Sequence, residues 1–216
     1  MRDPATRYPA TLVLALLGAL AWGEGTDNHL LIATPPPGPV AIDGDLADWD
    51  RSRAITVCPD VATLLGSYSA LVMAMWDDEA LYLACDWRDP TPMVNDYAPD
   101  LDLDRRKCFH SDSLQVHVRT DLERTFIAWH HRRTKRDAVI SLDGWSPWGG
   151  QPIVYHDAIA EYGVREAFTR AADGEGYTQE LRIPWTALSS SGRAYRAGES
   201  LEAMLDLVWG PASGQG

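Results

Sequence analysis

The stretch YSALVMAMWDDEALYLACDWRDP, residues 68–90, carries the clearest structural pattern in the chain. Two apolar runs, 68–76 and 80–87, flank the acidic tripeptide 77–79. Both runs have the length of a strand and are rich in apolar side chains, and the polar tripeptide between them is typical of a turn. We therefore predict an antiparallel β-hairpin at this position.

The same pattern continues towards the C-terminus. It predicts further strands over residues 113–119, 125–131, 138–142, 164–170, 177–183 and 201–209. Many short strands separated by turn residues favour an antiparallel sandwich or barrel. We predict an all-β fold, an antiparallel β-sandwich with immunoglobulin-like or jelly-roll-like layers. A single helical turn is expected at 184–188, with Pro184 at its first position.

A second informative stretch, IDGDLADWD, spans residues 42–50. The pair Asp43-Gly44 favours a turn, because glycine accepts a positive φ and aspartate bonds to nearby backbone. Asp45 is placed to cap one helical turn through Leu46 and Ala47, which would carry Trp49. Three uses remain open for that ring: closing one end of the core, packing loosely against it, or contacting a ligand.

The N-terminus is typical of a secretory signal. Arg2 and Arg7 precede an apolar run over 9–22. Small residues suited to a cleavage site end at Gly23 or, equally well, at Ala21. We expect a signal peptide at 1–23, a proline-rich lead-in at 24–39, the domain at 40–210 and a flexible tail at 211–216. The mature protein would then be secreted or periplasmic; an uncleaved membrane anchor is the alternative.

Charge argues against two classes of partner. The chain of 216 residues has a net charge of −12, and residues 1–23 contribute +1, which leaves −13 on the mature chain. Binding to nucleic acid needs clustered Lys and Arg, and the one basic run, HHRRTKR at 130–136, is simplest as a solvated strand end or loop. We expect neither nucleic-acid binding nor membrane binding beyond export.

Four stretches, taken in order, resemble a known family. They are IDG leading to Trp49, DDEALYLACDWRDP at 77–90, DSLQVHV at 112–118 and GYTQELRIPWTAL at 176–188. Together they resemble the family 9 carbohydrate-binding modules and the wider DOMON-like β-sandwich domains, over residues 40–209. The resemblance implies that Trp49 packs against the sandwich. Glu180 falls where the family-like motif has a glutamate, and a structural hydrogen bond would explain it.

The resemblance also implies two classes of function. Some relatives bind sugars outside cells, often with structural calcium, and others bind haem b, as in domains like the haem subunit of ethylbenzene dehydrogenase. Fold alone does not choose between them. Nine tryptophans against three phenylalanines favour the sugar, since saccharides stack on flat rings.

The loop DGWSPWGG, residues 143–150, is the first candidate sugar site. Its two rings, Trp145 and Trp148, are three residues apart among Gly, Pro and Ser, and recognition residues are commonly mounted on loops. The alternative is that one ring folds back as a lid over the core.

The hairpin of strands 113–119 and 125–131 is the second candidate site. A five-residue connection would place residue 117 opposite 127, and 115 opposite 129. One face would then carry the core residues. The other face would carry amide, imidazole and guanidinium groups beside a ring, namely Gln115, His117, Arg119, Trp129 and His131. A solvated outer sheet face is the alternative, and a bulge would move Trp129 to the other side.

Cofactor predictions rest mainly on the resemblance. Asp100, Asp102 and Asp104 form a carboxylate cluster suited to calcium, although the EF-hand pattern fails and an acidic loop is the alternative. Haem b would need Met, His or Lys ligands. Candidates for that role are Met73, Met75, Met93, Lys107, His110 and His117.

The cysteines leave one pairing open. Cys58 and Cys108 are able to pair in an exported protein, whereas Cys85 alternates with leucines and is expected in the core.

Catalytic motifs such as GxSxG, HExxH and a phosphate-binding loop are absent from the sequence. We expect a non-catalytic module that binds a saccharide by aromatic stacking and polar contacts, such as an accessory module of a carbohydrate-active enzyme. A haem b electron-transfer domain is the alternative, and a structural envelope module is the third.

Overall fold

A computed structural model describes residues 24–98, 108–146 and 149–214; of residues 145, 146 and 149–152 it describes the backbone alone. The described strands are β1 (Ile55–Val57), β2 (Ser69–Trp76), β3 (Ala80–Arg88), β4 (Ser113–Arg119), β5 (Glu123–His131), β6 (Arg136–Ser146), β7 (Gly149–Asp157), β8 (Arg165–Arg170), β9 (Gly176–Pro184) and β10 (Glu202–Val208). Two short helices are α1 (Ala158–Tyr162) and α2 (Trp185–Leu188).

The strands form two five-stranded antiparallel sheets. Sheet A has the order β1-β2-β3-β9-β8, and sheet B has the order β10-β4-β5-β6-β7. The predicted β-sandwich is confirmed, and each of the eight predicted strands is present. Two strands, β1 and β7, and helix α1 were not predicted. Helix α2 lies where the helical turn was expected, but it begins at Trp185 and Pro184 precedes it.

The core lies between the sheets and follows the period-two pattern of the strands. Val72 of β2, Leu83 of β3, Val116 of β4 and Phe126 of β5 are each at most 3% exposed and belong to one cluster. Burial of such apolar side chains contributes roughly 1.5–3 kcal/mol for each large residue. The central strands are buried on their outer faces as well, which explains why several of them read as continuous apolar runs.

The IDGDLADW stretch covers the outer face of sheet A by wrapping around one buried carboxylate. Glu180 of β9 is fully buried and accepts hydrogen bonds from the backbone N–H of Asp43 (2.9 Å), the backbone N–H of Gly44 and the indole Nε1 of Trp49 (2.5 Å). Burial raises the pKa of Glu180, while these donors oppose that shift. Trp49 is 5% exposed, so its structural interpretation is confirmed.

The turn within that stretch forms as expected. A 3-10 helix spans Leu46–Asp48, and the Asp45 side chain accepts a hydrogen bond from the backbone N–H of Ala47 at 3.0 Å. Gly44 has φ 86°, and a side chain there would meet the hydroxyl of Thr169. Glycine is therefore required by both conformation and space.

Residues before the expected start of the domain also contact the sandwich. The Asn28 side chain donates to the carbonyl of Thr56 at 2.8 Å, and the backbone N–H of Thr34 donates to the carbonyl of Ala74 at 3.1 Å. The lead-in thus lies along the β1–β2 edge. The domain boundaries given above stay predictions, and the proposed signal peptide lies outside the described residues.

All three cysteines lie in the described part of the chain, where they are buried and none forms a disulfide. Cys85 belongs to the core, as predicted. Within the described residues, no helix has the length and apolar character needed to span a membrane.

Candidate functional site

The outer face of sheet B carries the predicted polar set of β4 and β5. The alternation of faces was correct: Leu114 and Val116 are in the core, and His117 and Trp129 belong to the opposite face. The predicted register was wrong by two residues, because His117 pairs with Thr125. Strand β5 begins at Glu123, so the connection is shorter than five residues, and a two-residue shift leaves the faces unchanged.

This outer face is buried. Trp129 is 1% exposed, its indole Nε1 donates to the carbonyl of Tyr97 at 3.0 Å, and it packs in a cluster that includes Cys108 and Phe109. The segments around residues 97 and 108 therefore cover its ring. A ligand would have to displace this cover to reach Trp129, and its predicted ligand contact stays untested.

The other predicted members of this face have protein partners or little exposure. His117 is fully buried, with Nδ1 at 2.8 Å from Thr125 Oγ1 and Nε2 at 2.9 Å from Asp206. Gln115 is 7% exposed and His131 is 4% exposed, and burial lowers the pKa of His131. Arg119 alone among the five is exposed. Their roles in binding stay predictions.

The described parts of the predicted tryptophan loop belong to strands β6 and β7. Trp145 lies within β6 and pairs with Gly150 of β7, although nothing is described of its side chain, and Trp148 lies outside the described residues. The pairing shifts by two residues between Asp143 and Trp145, where Gly144 has φ 83° and Pro152 offers no N–H to the ladder. Bulges of this kind redirect side chains and are common beside binding sites.

A polar cluster on the inner face includes residues of β6 and β7, and we call it the Asp143 cluster: Arg124, Ser141, Asp143, His156, Glu161 and Tyr162. Arg124 and Asp143 are direct cross-strand partners in β5 and β6. The guanidinium Nε and a terminal nitrogen lie 2.9 and 2.8 Å from Asp143 Oδ2, and Ser141 Oγ donates to Asp143 Oδ1 at 2.6 Å. The pair is half-buried, with side-chain exposures of 13% and 24%.

Strand β7 and helix α1 complete the cluster. His156 Nδ1 lies 2.6 Å from Glu161 Oε2, and its Nε2 lies 3.8 Å from Asp143 Oδ2, beyond hydrogen-bonding distance. Tyr162 donates its hydroxyl to Asp143 Oδ2 at 3.2 Å, and the Arg124 guanidinium lies 4.3 Å from the centre of its ring.

Electrostatics fix the protonation state of two members. Burial, followed by the Asp143 charge, raises the pKa of Tyr162 to about 12, although Arg124 opposes this, so the phenol stays a donor at neutral pH. The hydrogen bond from His156 lowers the pKa of Glu161, which keeps that group an acceptor.

The arrangement suits a neutral polyol. Carboxylates, a guanidinium, an imidazole and a phenol provide donors and acceptors in fixed positions, as hydroxyl recognition requires. Next to them, Val154, the β7 partner of Asp143, is 53% exposed and offers an apolar surface.

Sequence reasoning missed this cluster because it missed β7 and α1. His156 and Glu161 had no place in the predicted strands, and Arg124 lay before the predicted start of β5. A usable signal was present, since Asp157 and Gly163 bracket α1 as an N-cap and a left-handed C-cap.

The calcium prediction falls on Asp100, Asp102 and Asp104, which lie outside the described residues. Among the residues that are described, no three His, Cys, Asp or Glu side chains are grouped as a metal would require. Calcium binding therefore stays a prediction.

The described haem-ligand candidates differ in accessibility: Met93 is partly buried and His110 is exposed, whereas the other three are buried. Met73 and Met75 are at most 1% exposed and pack with Leu46 and Trp49, and both ring nitrogens of His117 have protein partners. Haem iron needs an accessible axial ligand. Lys107 lies outside the described residues, and haem b stays an untested alternative.

A buried pair of carboxyl groups lies near one end of the sandwich. Asp89 and Asp112 are 1% and 3% exposed, and Asp89 Oδ2 has no hydrogen-bond partner within the described residues. Asp112 also accepts hydrogen bonds from the backbone N–H of Val94 (2.8 Å) and of Gly210 (2.6 Å). Burial, together with the Asp89 charge, raises the pKa of Asp112 to about 7. The pair fastens two distant chain segments to the sandwich.

Comparison with known proteins agrees with this architecture. No family profile and no curated protein matches the sequence. Among solved structures, the chain is similar to a carbohydrate-binding module of family 9 from Caldicellulosiruptor kristjanssonii in complex with glucose, with a TM-score of 0.51 and 17% identity. The match covers 85% of this chain and 81% of that one.

The chain has the fold of a family 9 carbohydrate-binding module. The resemblance predicted from the four sequence stretches is thus confirmed for the fold.

Proposed function

We propose that the protein is a non-catalytic, extracytoplasmic saccharide-binding module whose ligand lies against the Asp143 cluster. The glucose complex of the structural neighbour supports this choice of ligand class. Polar side chains of the cluster would bond the hydroxyl groups, and Trp145 and Trp148 would stack on the sugar ring.

One observation carries the proposal. Asp143, half-buried and paired with Arg124 of β5, lies in the same strand as Trp145, on the other side of the Gly144 bulge. An aromatic residue is thereby held next to a polar cluster by a rigid ladder. Rigid strands position binding groups more accurately than loops do.

The proposed contacts divide by chemistry. His156 Nε2 has no hydrogen bond within the described residues, so it is available to a sugar hydroxyl. Asp143 Oδ1 accepts from Ser141 and has capacity for a further donor, whereas Asp143 Oδ2 already faces Arg124 and Tyr162. The exposed side chain of Val154 would meet the apolar side of the ring.

Titration of the mature protein with glucose and with cello- and xylo-oligosaccharides tests the proposal, using calorimetry and tryptophan fluorescence. Asp143→Asn, Trp145→Ala and Trp148→Ala should each weaken binding at least about tenfold, which equals the loss of ~1.4 kcal/mol. Asp206→Asn is the matched control, because Asp206 also contacts a histidine but on the outer face.

A saturable signal that the three variants lose and the control keeps would support the proposal. Binding that survives all three substitutions would contradict the assignment to this cluster. Absence of binding across the panel, with all variants folded, would contradict saccharide binding for the sugars tested.

A further inference from the structure

The turn between β5 and β6 concentrates positive charge on an acidic protein. Residues 132–135 form the turn, and Arg133, Lys135 and Arg136 are exposed there. The whole chain carries a net charge of −12. Three cations within four positions thus stand out from their surroundings.

Arg132 holds the turn in place, and its positive charge is neutralised by Asp96. Its Nε donates to Asp96 Oδ1 at 2.9 Å, and a second guanidinium nitrogen bonds Asp96 Oδ2. The Arg132 backbone N–H donates to the carbonyl of Asn95 at 2.9 Å. Asp96 is 8% exposed, so the bidentate ion pair is protected from solvent and holds the base of the turn in place.

The remaining cations are poorly neutralised. In the described part of the chain, no carboxylate lies within ion-pair distance of Lys135 or Arg136. Arg133 reaches only the already paired Asp96, at 3.4 Å, and its side chain is 67% exposed. His131 adds no charge at neutral pH, because burial lowers its pKa.

Lys135 also has a left-handed backbone conformation, which glycine adopts more readily than other residues. Its φ is 54°, in the left-handed region, where a residue with a side chain costs roughly 1 kcal/mol. A lysine at this position keeps a charge at the turn against a conformational cost. Such a choice is expected where the charge has a role.

We propose that the β5–β6 turn is a second binding site, for an acidic polysaccharide of the uronate class. A turn at the end of a hairpin presents its side chains outwards, which suits a polymer lying across it. Spaced carboxylates would meet Arg133, Lys135 and Arg136 in succession. The choice of a saccharide polymer rests on the proposed function, whereas the anion preference rests on the turn alone.

Nucleic acid is the competing polyanion, and the charge of the molecule argues against it. A dense polyphosphate binds through many cation contacts, and a net charge of −12 repels it at long range. The more widely spaced charges of a polyuronate need only the local cluster.

Binding of polygalacturonate, compared with its fully methyl-esterified and therefore neutral form, tests the inference at low ionic strength. We expect the acidic polymer to bind more tightly, and we expect its affinity to fall as salt rises. Arg133→Ala/Arg136→Ala should weaken binding roughly tenfold. Arg193→Ala/Arg196→Ala is the matched control, which removes the same charge from a distant loop and should change affinity less than about twofold.

The variant Lys135→Gly distinguishes an effect on polymer binding from an effect on stability. Glycine accepts φ 54° without strain, so this variant should keep or raise the melting temperature while it weakens polymer binding. Equal loss in the matched control, or unchanged affinity in the turn variants, would overturn the inference. Single-stranded DNA that binds the turn as tightly as polygalacturonate does would also overturn it, in favour of general anion binding.

The two proposals fail independently. Asp143→Asn should leave polygalacturonate binding at the turn intact while it removes binding of neutral oligosaccharides. If the neutral sugars never bind but the turn variants still lose the acidic polymer, the Asp143 assignment fails and this inference stands.

Discussion

Two polar sets lie on opposite faces of sheet B, and they differ in what covers them. On the outer face, His117 and Trp129 are at most 1% exposed beneath neighbouring segments. On the inner face, Arg124 and Asp143 are half-buried, and Val154 beside them is 53% exposed. The face expected to be open is closed, and part of the face expected to be core is open.

The difference arises because chain segments outside the two sheets cover the outer face of sheet B. Alternation along a strand tells which residues share a face, but not which face a distant segment covers. Tyr97 and Phe109 cover the outer face from outside the sheet. On the inner side, β7 is an edge strand, so its polar residues there reach solvent.

The largest effect is expected for Trp129→Ala. Loss of a buried ring and its hydrogen bond to Tyr97 should lower the free energy of unfolding by about 3–5 kcal/mol, as measured by urea denaturation. The folded fraction should keep its sugar affinity. A stable variant that has lost sugar binding would contradict this interpretation and place the sugar site on the outer face.

Rising pH should lower the free energy of unfolding through the buried Asp89–Asp112 pair, which lies beside the segment that leads from Val94 to Tyr97. The pKa of Asp112 in the folded protein is raised to about 7, against an ordinary 3.8. The folded state therefore holds this proton more tightly than the unfolded chain does. The resulting stabilisation is fully present below pH 3.8 and is lost as the pH rises through about 7. We expect a loss of roughly 2–4 kcal/mol over that window. Tyr177 and Arg170 face the same pair.

Urea denaturation of wild type and Asp112→Asn between pH 4 and 8 checks this expectation. The variant should show a flatter dependence on pH, because the residue that titrates is gone. Equal slopes in the two proteins would show that the carboxyl pair does not govern the pH response.

Asp143→Asn should affect binding more than folding. The amide cannot match the two charged contacts from Arg124, so we expect a loss of about 1–3 kcal/mol in unfolding free energy, with the domain still folded. Denaturation and sugar titration on one preparation measure both effects. Sugar affinity equal to that of wild type would remove the distinction between the two faces.

The smallest effect is expected for Arg119→Ala. Arg119 is exposed and pairs with Glu123 and Glu202 at 3.3 and 3.8 Å across solvent, and such pairs contribute about 0–1 kcal/mol. Its thermal midpoint and its sugar affinity should match those of wild type. A clear loss of affinity would return a binding role to the outer face.

The sequence predicted the β-sandwich because the strands 68–76, 80–87 and 113–119 have strong period-two or continuous apolar patterns. It also identified the turn at Asp43-Gly44, since Asp and Gly have specific conformational roles there. It missed β7 because GGQP, residues 149–152, is full of residues that usually end strands, and β1 because it has three residues.

The candidate site was harder to predict for the same reason. Arg124 and Asp143 become neighbours only through the β5–β6 register, and His156 joins them only when β7 is recognised. Burial of Trp129 depends on Tyr97, which is 32 positions away along the chain. Local patterns carry no information about such contacts.

The most direct measurement is a nuclear magnetic resonance titration with cello-oligosaccharide, following the indole N–H signals of the tryptophans and the backbone amides. Single Trp→Phe variants assign the indoles. We predict saturable shifts for Trp145, Trp148 and the amides of Asp143 and His156, with Trp129 unchanged. Shifts at Trp129 with the Asp143 cluster silent would contradict the account.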